Sequence, residues 1–141
     1  MIVDETTPLA KRAASLVGEP GPDAVIELRL QSGALEDTRH LTSFGPRRAR
    51  VSVGLALLRA RDRLRPDFAD VPSDLELTNP QNSAWDAYCA GRLERAGIDV
   101  ASQPYRYDVR NRFGFRDEVD ATFDRLWAAD DLAWSDLPGT G

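Results

Sequence analysis

The sequence predicts a single compact domain of the α+β or α/β class. Residues 24–31 alternate apolar and polar side chains, which is the pattern of a half-buried strand. Residues 117–128 place apolar side chains at helical spacing. Residues 74–107 then suggest a strand, a helix and a second strand, in about the length of a βαβ unit. We therefore expect a mixed sheet of about three to five strands, covered by three or four helices.

The chain length supports one domain rather than two. With 141 residues, the chain is long enough to bury one hydrophobic core. We expect a globular domain over residues 1–129, with a hinge at 66–73, where two prolines fall. Residues 130–141 are predicted to form a flexible tail. The tail ends in Leu137–Gly141, which matches the sortase sorting pattern Leu-Pro-x-Thr-Gly, and chance, a tag and a signal remain alternatives.

The first half of the chain has several local signals. Residues 7–17 carry apolar side chains at helical spacing behind a proline, which predicts a helix. Residues 35–43 read either as a strand or as a loop that carries His40. Residues 46–66 fit a helix that starts near Pro46, with a conversion from strand to helix near Gly54 as the alternative.

The second half has clearer boundaries. Within the βαβ-like unit, Ser83 is the predicted N-cap of a helix, and Gly97 is its predicted C-terminal stop. Residues 98–107 read as the returning strand, with Pro104 moving part of it towards a sheet edge. Asp117 is predicted to cap the last helix, whose apolar stripe faces the core and whose acids face outwards.

Scarce residue types exclude several kinds of site. The chain has one histidine, one cysteine and one lysine. The usual zinc and iron–sulfur sites need three or more such ligands, and a disulfide within the chain needs two cysteines. We therefore expect no metal and no cofactor, and a reducing compartment suits the single thiol.

Charge is distributed unevenly along the chain. Residues 1–45 have a net charge of −3, residues 46–66 of +6 and residues 67–141 of −8. The basic segment has seven arginines, which could contact nucleic acid or pack against the acidic remainder. Because the whole chain carries a net charge of −5, long-range electrostatics oppose nucleic acid, and we favour an internal or solvated role for this segment.

Three groups of residues are candidates for function. The turn before the central helix could bind an anionic ligand at a helix N-terminus through Asn79, Asn82 and Ser83, although the same residues could simply cap the turn. His40 is the candidate base if the protein is an enzyme that also uses carboxylates. Residues 105–113 interleave aromatic and basic side chains, as in a single-strand nucleic-acid site or an amphipathic strand.

Taken together, these observations favour a non-enzymatic, cytoplasmic protein-interaction module of a regulatory, adaptor or immunity type. Its expected contact surface is the acidic outer face of the last helix, with Glu118, Asp120 and Asp124. The expected partner is a protein with a basic surface, and neither a membrane nor nucleic acid is expected as a partner. A small enzyme or anion-binding protein is the first alternative, and a nucleic-acid binder is the second.

Overall fold

The computed structural model describes residues 45–140 and, before them, the backbone of five short strands. These are β1 (Ile2–Asp4), β2 (Arg12–Val17), β3 (Val25–Gln31), β4 (Glu36–Asp37) and β5 (His40–Phe44). In backbone pairing, β3 lies parallel to β1 and antiparallel to β2, and β4 lies antiparallel to β5.

Residues 45–140 form a helical body. It contains α1 (Pro46–Arg63), α2 (Asn79–Arg95), α3 (Gln103–Phe113) and α4 (Asp117–Ala128), with short 3₁₀ turns at Pro66–Phe68 and Trp134–Asp136. This range holds no strand. The predicted α+β or α/β fold, in which helices cover a mixed sheet, is therefore wrong for the body of the protein. None of the helices in the described part of the chain has the length and apolar content that crossing a bilayer requires.

The predicted βαβ unit at residues 74–107 does not form. Only its helix is present, as α2. The first predicted strand is a turn instead, in which the Ser73 hydroxyl donates to the Glu76 carboxylate at 2.7 Å. Leu77 of this segment is buried but Leu75 is 89% exposed, so the apolar pair does not share one face of a sheet.

The second predicted strand is replaced by α3. Pro104 occupies the first turn of this helix, where its missing N–H costs nothing, rather than marking a sheet edge. Tyr105, Val109 and Phe113 follow at four-residue spacing, and Val109 is fully buried. The aromatic and basic side chains therefore alternate along a helix, where the period of 3.6 residues decides which of them face the core.

The helix predicted for residues 7–17 is also wrong over the part of it that the structure describes. Residues 12–17 form β2 and not the end of a helix. Residues 7–11 lie outside the described residues. The segment at 35–43 contributes β4 and most of β5, and His40 is the first residue of β5.

α1 is one continuous helix, which confirms the helical interpretation of residues 46–63 over a conversion near Gly54. Gly54 lies against α2: a Cβ at this position would stand 2.9 Å from a methyl carbon of Leu93. The glycine therefore lets the two helices approach closely, which offsets its cost in helix propensity.

α2 is the central helix and contacts the three others. It is buried around most of its circumference, as expected for a helix that crosses a core. Its buried residues include Trp85, Tyr88, Cys89, Gly91 and Leu93.

The ends of α2 are well defined. The N-cap is Thr78 and not the predicted Ser83: Thr78 and Gln81 form a reciprocal capping box. At the other end, Gly97 has a φ of +90°, and the N–H of Ile98 donates to the Leu93 carbonyl at 3.0 Å. This is a Schellman motif, and it confirms the predicted stop at Gly97.

α4 matches its predicted apolar stripe, with Val119, Phe123 and Leu126 buried. Its N-cap is Arg116, so Asp117 is the first helical residue and not the cap. α4 packs closely on α2, since a Cβ at Gly91 would overlap the backbone carbonyl of Trp127.

The packing of residues 130–140 does not fit the predicted flexible tail. Trp134 and Leu137 are buried members of the same core as α2. Their apolar side chains have a place to bury because Phe68, Trp85 and the end of α4 leave a surface that this segment covers.

Candidate functional site

Four arginines of α1 and the loop after it form ion pairs within the molecule. Each of several arginines in 46–66 forms an ion pair with an aspartate from the acidic remainder of the chain; the pairs are Arg47–Asp99, Arg59–Asp86, Arg63–Asp74 and Arg65–Asp131. The Arg59 and Arg63 pairs are largely buried, whereas the Arg47–Asp99 pair is mostly exposed. These guanidinium groups already have anionic partners, which weakens the case for a phosphate-binding surface there.

A buried charged cluster joins α1 to α2. At its centre, Asp62 is 1% exposed and accepts two hydrogen bonds from Arg92, at 2.9 and 2.7 Å. The indole N–H of Trp85 donates a third, at 2.9 Å, to the same carboxylate. A buried carboxylate needs such donors, because an uncompensated charge in the interior is strongly destabilising.

Arg59 extends this cluster. Its guanidinium donates to the carboxylate of Asp86 at 2.8 Å and to the side-chain oxygen of Asn82 at 3.0 Å, and it lies 3.5 Å from Asp74. Burial is the largest single effect on its charge and disfavours it, but attraction to Asp86, Cys89 and Asp74 together outweighs burial and raises the pKa of Arg59. For Arg92, burial is again the largest single effect, and the hydrogen bond to Asp62 together with attraction to Cys89, Asp62 and Tyr88 outweighs it, so that its pKa is also raised.

Aromatic rings complete the buried cluster. The guanidinium carbons of Arg59 and Arg63 lie 4.8 and 5.1 Å from the centre of the Trp85 ring, and that of Arg92 lies 3.9 Å from the centre of Tyr88. Such cation–π contacts are strongest where water is excluded. The cluster therefore combines three arginines, three aspartates and two rings in the seam between α1 and α2.

Cys89 lies beside this cluster, and the Arg92 guanidinium is 3.2 Å from its sulfur. The thiol is fully buried. Burial raises the pKa of Cys89 to about 12, because it disfavours the thiolate more than Arg92 favours it. A reactive cysteine needs the thiolate and access to solvent, so Cys89 acts here as a small core residue.

The residues predicted to bind an anionic ligand do not share one exposed pocket. Asn79 is exposed in the first turn of α2, whereas Asn82 accepts the hydrogen bond from Arg59. Ser83 is buried, and its hydroxyl has no hydrogen-bond partner among the residues that the structure describes. The capping box of Thr78 and Gln81 also satisfies part of the N-terminus that an anion would have used.

The predicted partner-binding acids fall into two groups. Glu118 is exposed in the first turn of α4. Asp120 accepts two hydrogen bonds from Arg110, at 2.7 and 2.8 Å, and Asp124 accepts one from Arg106, at 2.5 Å. The hydrogen bond from Arg110 holds the pKa of Asp120 below its usual value. These two aspartates thus connect α4 to α3.

A pair of exposed aromatic rings lies next to these residues. Tyr107 of α3 is 60% exposed and Phe115 of the α3–α4 loop is 62% exposed. Their rings meet edge to face with centres 6.0 Å apart. The sequence indicates Tyr107, in an aromatic and basic segment, but does not indicate Phe115, because the connection in which it lies follows from α3 being a helix.

His40, the predicted candidate base, begins β5, and its side chain lies outside the described residues. Over residues 45–140, the structure brings together no group of three or more histidine, cysteine, aspartate or glutamate side chains suited to a metal ion. The geometry therefore directs attention to the surface around Tyr107 and Phe115. No family model, curated protein or solved structure matches this chain.

Proposed function

We propose that the protein is a cytoplasmic, non-enzymatic interaction module that binds a partner protein at the junction of α3 and α4. We call this region the corner surface and define it by Tyr107, Phe115, Asp117 and Glu118. The partner would offer an apolar pocket for the two rings and basic side chains for the two acids.

The observation that carries the proposal is the exposed aromatic pair. Tyr107 and Phe115 contact each other, and each leaves more than half of its surface in water. Large aromatic side chains are enriched at the centres of protein interfaces, because they bury much apolar area with few rotatable bonds. Two adjacent rings also form a larger apolar patch than a single exposed leucine does.

The charge next to the rings supports a basic partner. Asp117 and Glu118 are both exposed in the first turn of α4, and the exposed Arg116 separates them from Phe115. The net charge of −5 adds long-range attraction towards a basic protein. Charges at the rim of an interface act mainly on the association rate and its salt dependence, whereas the rings would supply most of the affinity.

The arginine–aspartate pairs between α3 and α4 hold together the two helices that carry the corner surface. Arg106 contacts Asp124, and Arg110 contacts Asp120, so that the inner turns of the two helices are joined by two ion pairs. We therefore revise the role expected for Asp120 and Asp124: they position the corner surface, and Glu118 remains the acid offered to the partner. The buried thiol of Cys89 suits a reducing compartment such as the cytoplasm.

Site-specific photocrosslinking tests this proposal. A photoreactive phenylalanine analogue replaces Tyr107, Phe115 or, as the matched control, Leu75, which is 89% exposed and lies in the loop before α2. In cells of the native host, we expect one protein to crosslink at positions 107 and 115 and not at position 75. The same crosslinked protein at all three positions, or none at 107 and 115, would contradict the proposal.

A second comparison tests the chemistry of the partner. The double reversal Asp117→Lys and Glu118→Lys should abolish this crosslink, whereas Asp70→Lys and Glu76→Lys, which change the net charge equally elsewhere, should preserve it. Nuclease treatment before irradiation separates a direct protein contact from one bridged by nucleic acid. Loss of the crosslink after nuclease would favour a nucleic-acid binder over the proposed module.

A further inference from the structure

α1 has two buried faces. One packs against α2 and includes Leu55, Arg59 and Asp62. The other includes Ala56 and Ala60, which form a small apolar cluster of their own, and α1 also lies beside β2 and β4. A helix that is buried on two sides keeps only a narrow stripe for solvent. We call it the α1 stripe, and its residues are Arg50, Leu57, Arg61 and Leu64.

The two leucines of the α1 stripe are partly in water. Leu57 is 46% exposed and Leu64 is 45% exposed. They are seven residues apart, so that they lie on the same side of the helix, two turns from each other. Single exposed leucines are common on protein surfaces, but two on one helical line match the spacing with which an amphipathic partner helix makes its contacts.

The charge of the α1 stripe is entirely positive. Arg50 and Arg61 are exposed, and neither forms a hydrogen bond or an ion pair with the residues that the structure describes. The single acid in the sequence of α1 is Asp62, which is buried against α2. The two arginines are therefore available to carboxylates from outside the described part of the chain, in contrast to the four arginines paired above.

A cavity adjoins one end of the α1 stripe. It has a volume of about 370 Å³ and lies between the first turns of α1 and the loop after α2, and its lining includes Pro46, Arg50 and Ile98. Arg47 and Asp99 also line it and pair with each other. Among the described residues of the lining, Arg50 is thus the charge without a partner of opposite sign. A volume of this size can hold one large side chain of a partner.

We propose that the α1 stripe binds an acidic amphipathic helix of a partner protein. Two apolar side chains of that helix, seven residues apart, cover Leu57 and Leu64. Its carboxylates pair with Arg50 and Arg61, and a further apolar side chain enters the cavity. The α1 stripe is separate from the corner surface and opposite to it in charge, so it gives the protein a second kind of partner.

The chemistry of the α1 stripe selects this occupant over three others. In a symmetric dimer, the same stripe lies on both sides, so that the arginines meet no carboxylate. Nucleic acid satisfies the arginines through its phosphates but offers the leucines little apolar contact. An anionic membrane needs a broader apolar face than two leucines provide. An acidic amphipathic helix satisfies the leucines and the arginines together.

Selection from a displayed peptide library tests the proposal. The library holds helical peptides of about 18 residues with random side chains on one face, and the full chain is the bait. Peptides that also bind a Leu57→Gln and Leu64→Gln variant are removed, which discards those that bind elsewhere. We expect the remaining peptides to be acidic, with apolar residues seven apart. No remaining peptide, or a remaining set that is basic, would overturn the proposal.

Charge reversal then tests the role of the two arginines. With a selected peptide as the probe in fluorescence anisotropy, Arg50→Glu with Arg61→Glu should weaken binding at least about tenfold. Arg112→Glu with Arg125→Glu makes the same change in net charge at exposed positions of α3 and α4, and binding should stay within about twofold. Equal weakening by the two double variants would show that net charge, and not the α1 stripe, governs binding, and would overturn the proposal.

Two further measurements address the other occupants. The chain alone should sediment as a monomer, and a dimer that Leu57→Gln dissociates would assign the α1 stripe to self-association instead. A single-stranded oligonucleotide should not bind, and binding that is lost with Arg50→Glu and Arg61→Glu would assign the stripe to nucleic acid and overturn the proposal. The crosslinks at positions 107 and 115 should persist in this variant, so that either proposed surface can fail without the other.

Discussion

Two arginine–aspartate arrangements of similar chemistry lie in very different surroundings. In the seam between α1 and α2, the side chain of Asp62 is 1% exposed and that of Arg92 is 12% exposed. Between α3 and α4, the side chain of Asp124 is 63% exposed and that of Arg106 is 22% exposed. The N···O distances, 2.7 and 2.5 Å, barely distinguish the two pairs. The N···O distance alone therefore says little about how much each ion pair contributes to the stability of the fold.

Burial decides the difference. An exposed pair competes with water and with salt, and typically contributes about 0 to 1 kcal/mol. A buried pair has already lost its hydration, so the removal of one partner leaves a bare charge in the interior and costs about 3 to 5 kcal/mol. Our account is that the α1–α2 cluster fixes how the core helices meet, whereas the α3–α4 pairs adjust the orientation of the corner surface.

The largest effect is expected for Asp62→Ala. This change leaves Arg92 buried without its carboxylate and removes the acceptor of the Trp85 indole N–H. We expect the free energy of unfolding to fall by about 3 to 5 kcal/mol, measured by urea denaturation. Loss of less than about 1 kcal/mol would mean that water reaches the cluster and that the comparison fails.

A paired replacement sharpens this prediction. Asp62→Leu together with Arg92→Met removes both charges and keeps most of the volume. Since a buried ion pair replaced by packed apolar groups is often neutral in stability, we expect the double variant to be more stable than Asp62→Ala. If the double variant is as unstable as Asp62→Ala, the loss of stability comes from lost packing and not from an unpaired buried charge.

The rate at which Cys89 is alkylated shows whether water reaches the buried cluster. With a pKa of about 12 and no exposure, the thiol should react with alkylating reagents only when the protein opens. A domain with about 5 kcal/mol of stability is open roughly one part in several thousand, so we expect labelling at pH 8 to be at least about 10³-fold slower than in urea. Rapid labelling of the folded protein would contradict a closed seam.

Because the pKa of Cys89 is raised, the folded protein loses stability at alkaline pH. The folded state favours the thiol, while the unfolded state loses this proton near the ordinary value of 9.0. The contribution of the thiol is therefore complete below that pH, and stability falls as the pH rises from 9.0 towards about 12. A Cys89→Ala variant should lose less stability than the parent over this range.

Acid titration tests the exposed arrangement. The hydrogen bond from Arg110 lowers the pKa of Asp120 from its usual 3.8. The stabilisation by Asp120 is thus present above pH 3.8, and it is lost as the pH falls through the lower pKa of Asp120 in the folded state. We expect the small difference in stability between the parent and Asp120→Asn to shrink as the pH falls below 3.8, and a difference that grows with acid would contradict the sign.

The smallest effect is expected for Asp124→Asn. Its carboxylate is mostly exposed, and its loss leaves Arg106 close to Asp120 at 3.6 Å. We expect a change of at most about 0.5 kcal/mol in the free energy of unfolding, which should shrink further in high salt. A change as large as that of Asp62→Ala would show that burial does not separate the two arrangements.

The sequence predicts well those elements whose signals are local. Pro46 at the start of α1 and Gly97 after α2 mark helix ends through backbone conformation alone, and both lie where the structure has them. The stripe of α4 follows from helical periodicity alone. Ion pairing of basic-segment arginines with the acidic remainder of the chain agrees with the charge balance, which needs no knowledge of the fold.

Predictions fail where two periodicities fit the same residues. In residues 98–107, alternating side chains suggest a strand, but Pro104 is better placed in the first turn of α3. Ser83 and Thr78 are both acceptable N-caps, and only the reciprocal bond with Gln81 selects Thr78. The short segment at Leu75 and Leu77 forms a turn and not a strand, so its two leucines do not alternate across a sheet.

The candidate surface was predicted only in part. Glu118 is exposed as expected, but the pairing of Asp120 with Arg110 depends on α3 being a helix that lies beside α4.

The buried cluster had one signal in the sequence: Asp62 is the sole acid among seven arginines in residues 46–66. Its partners Trp85 and Arg92 lie on another helix, so the tertiary packing alone could reveal them.

The most direct test of this account is a pair of double-mutant cycles under one set of conditions. One cycle combines Asp62→Asn with Arg92→Met, and the other combines Asp124→Asn with Arg106→Met, each followed by urea denaturation. We expect a coupling energy above about 2 kcal/mol for the buried pair and at most about 0.5 kcal/mol for the exposed pair. Equal coupling energies in the two cycles would contradict the claim that burial sets the value of these ion pairs.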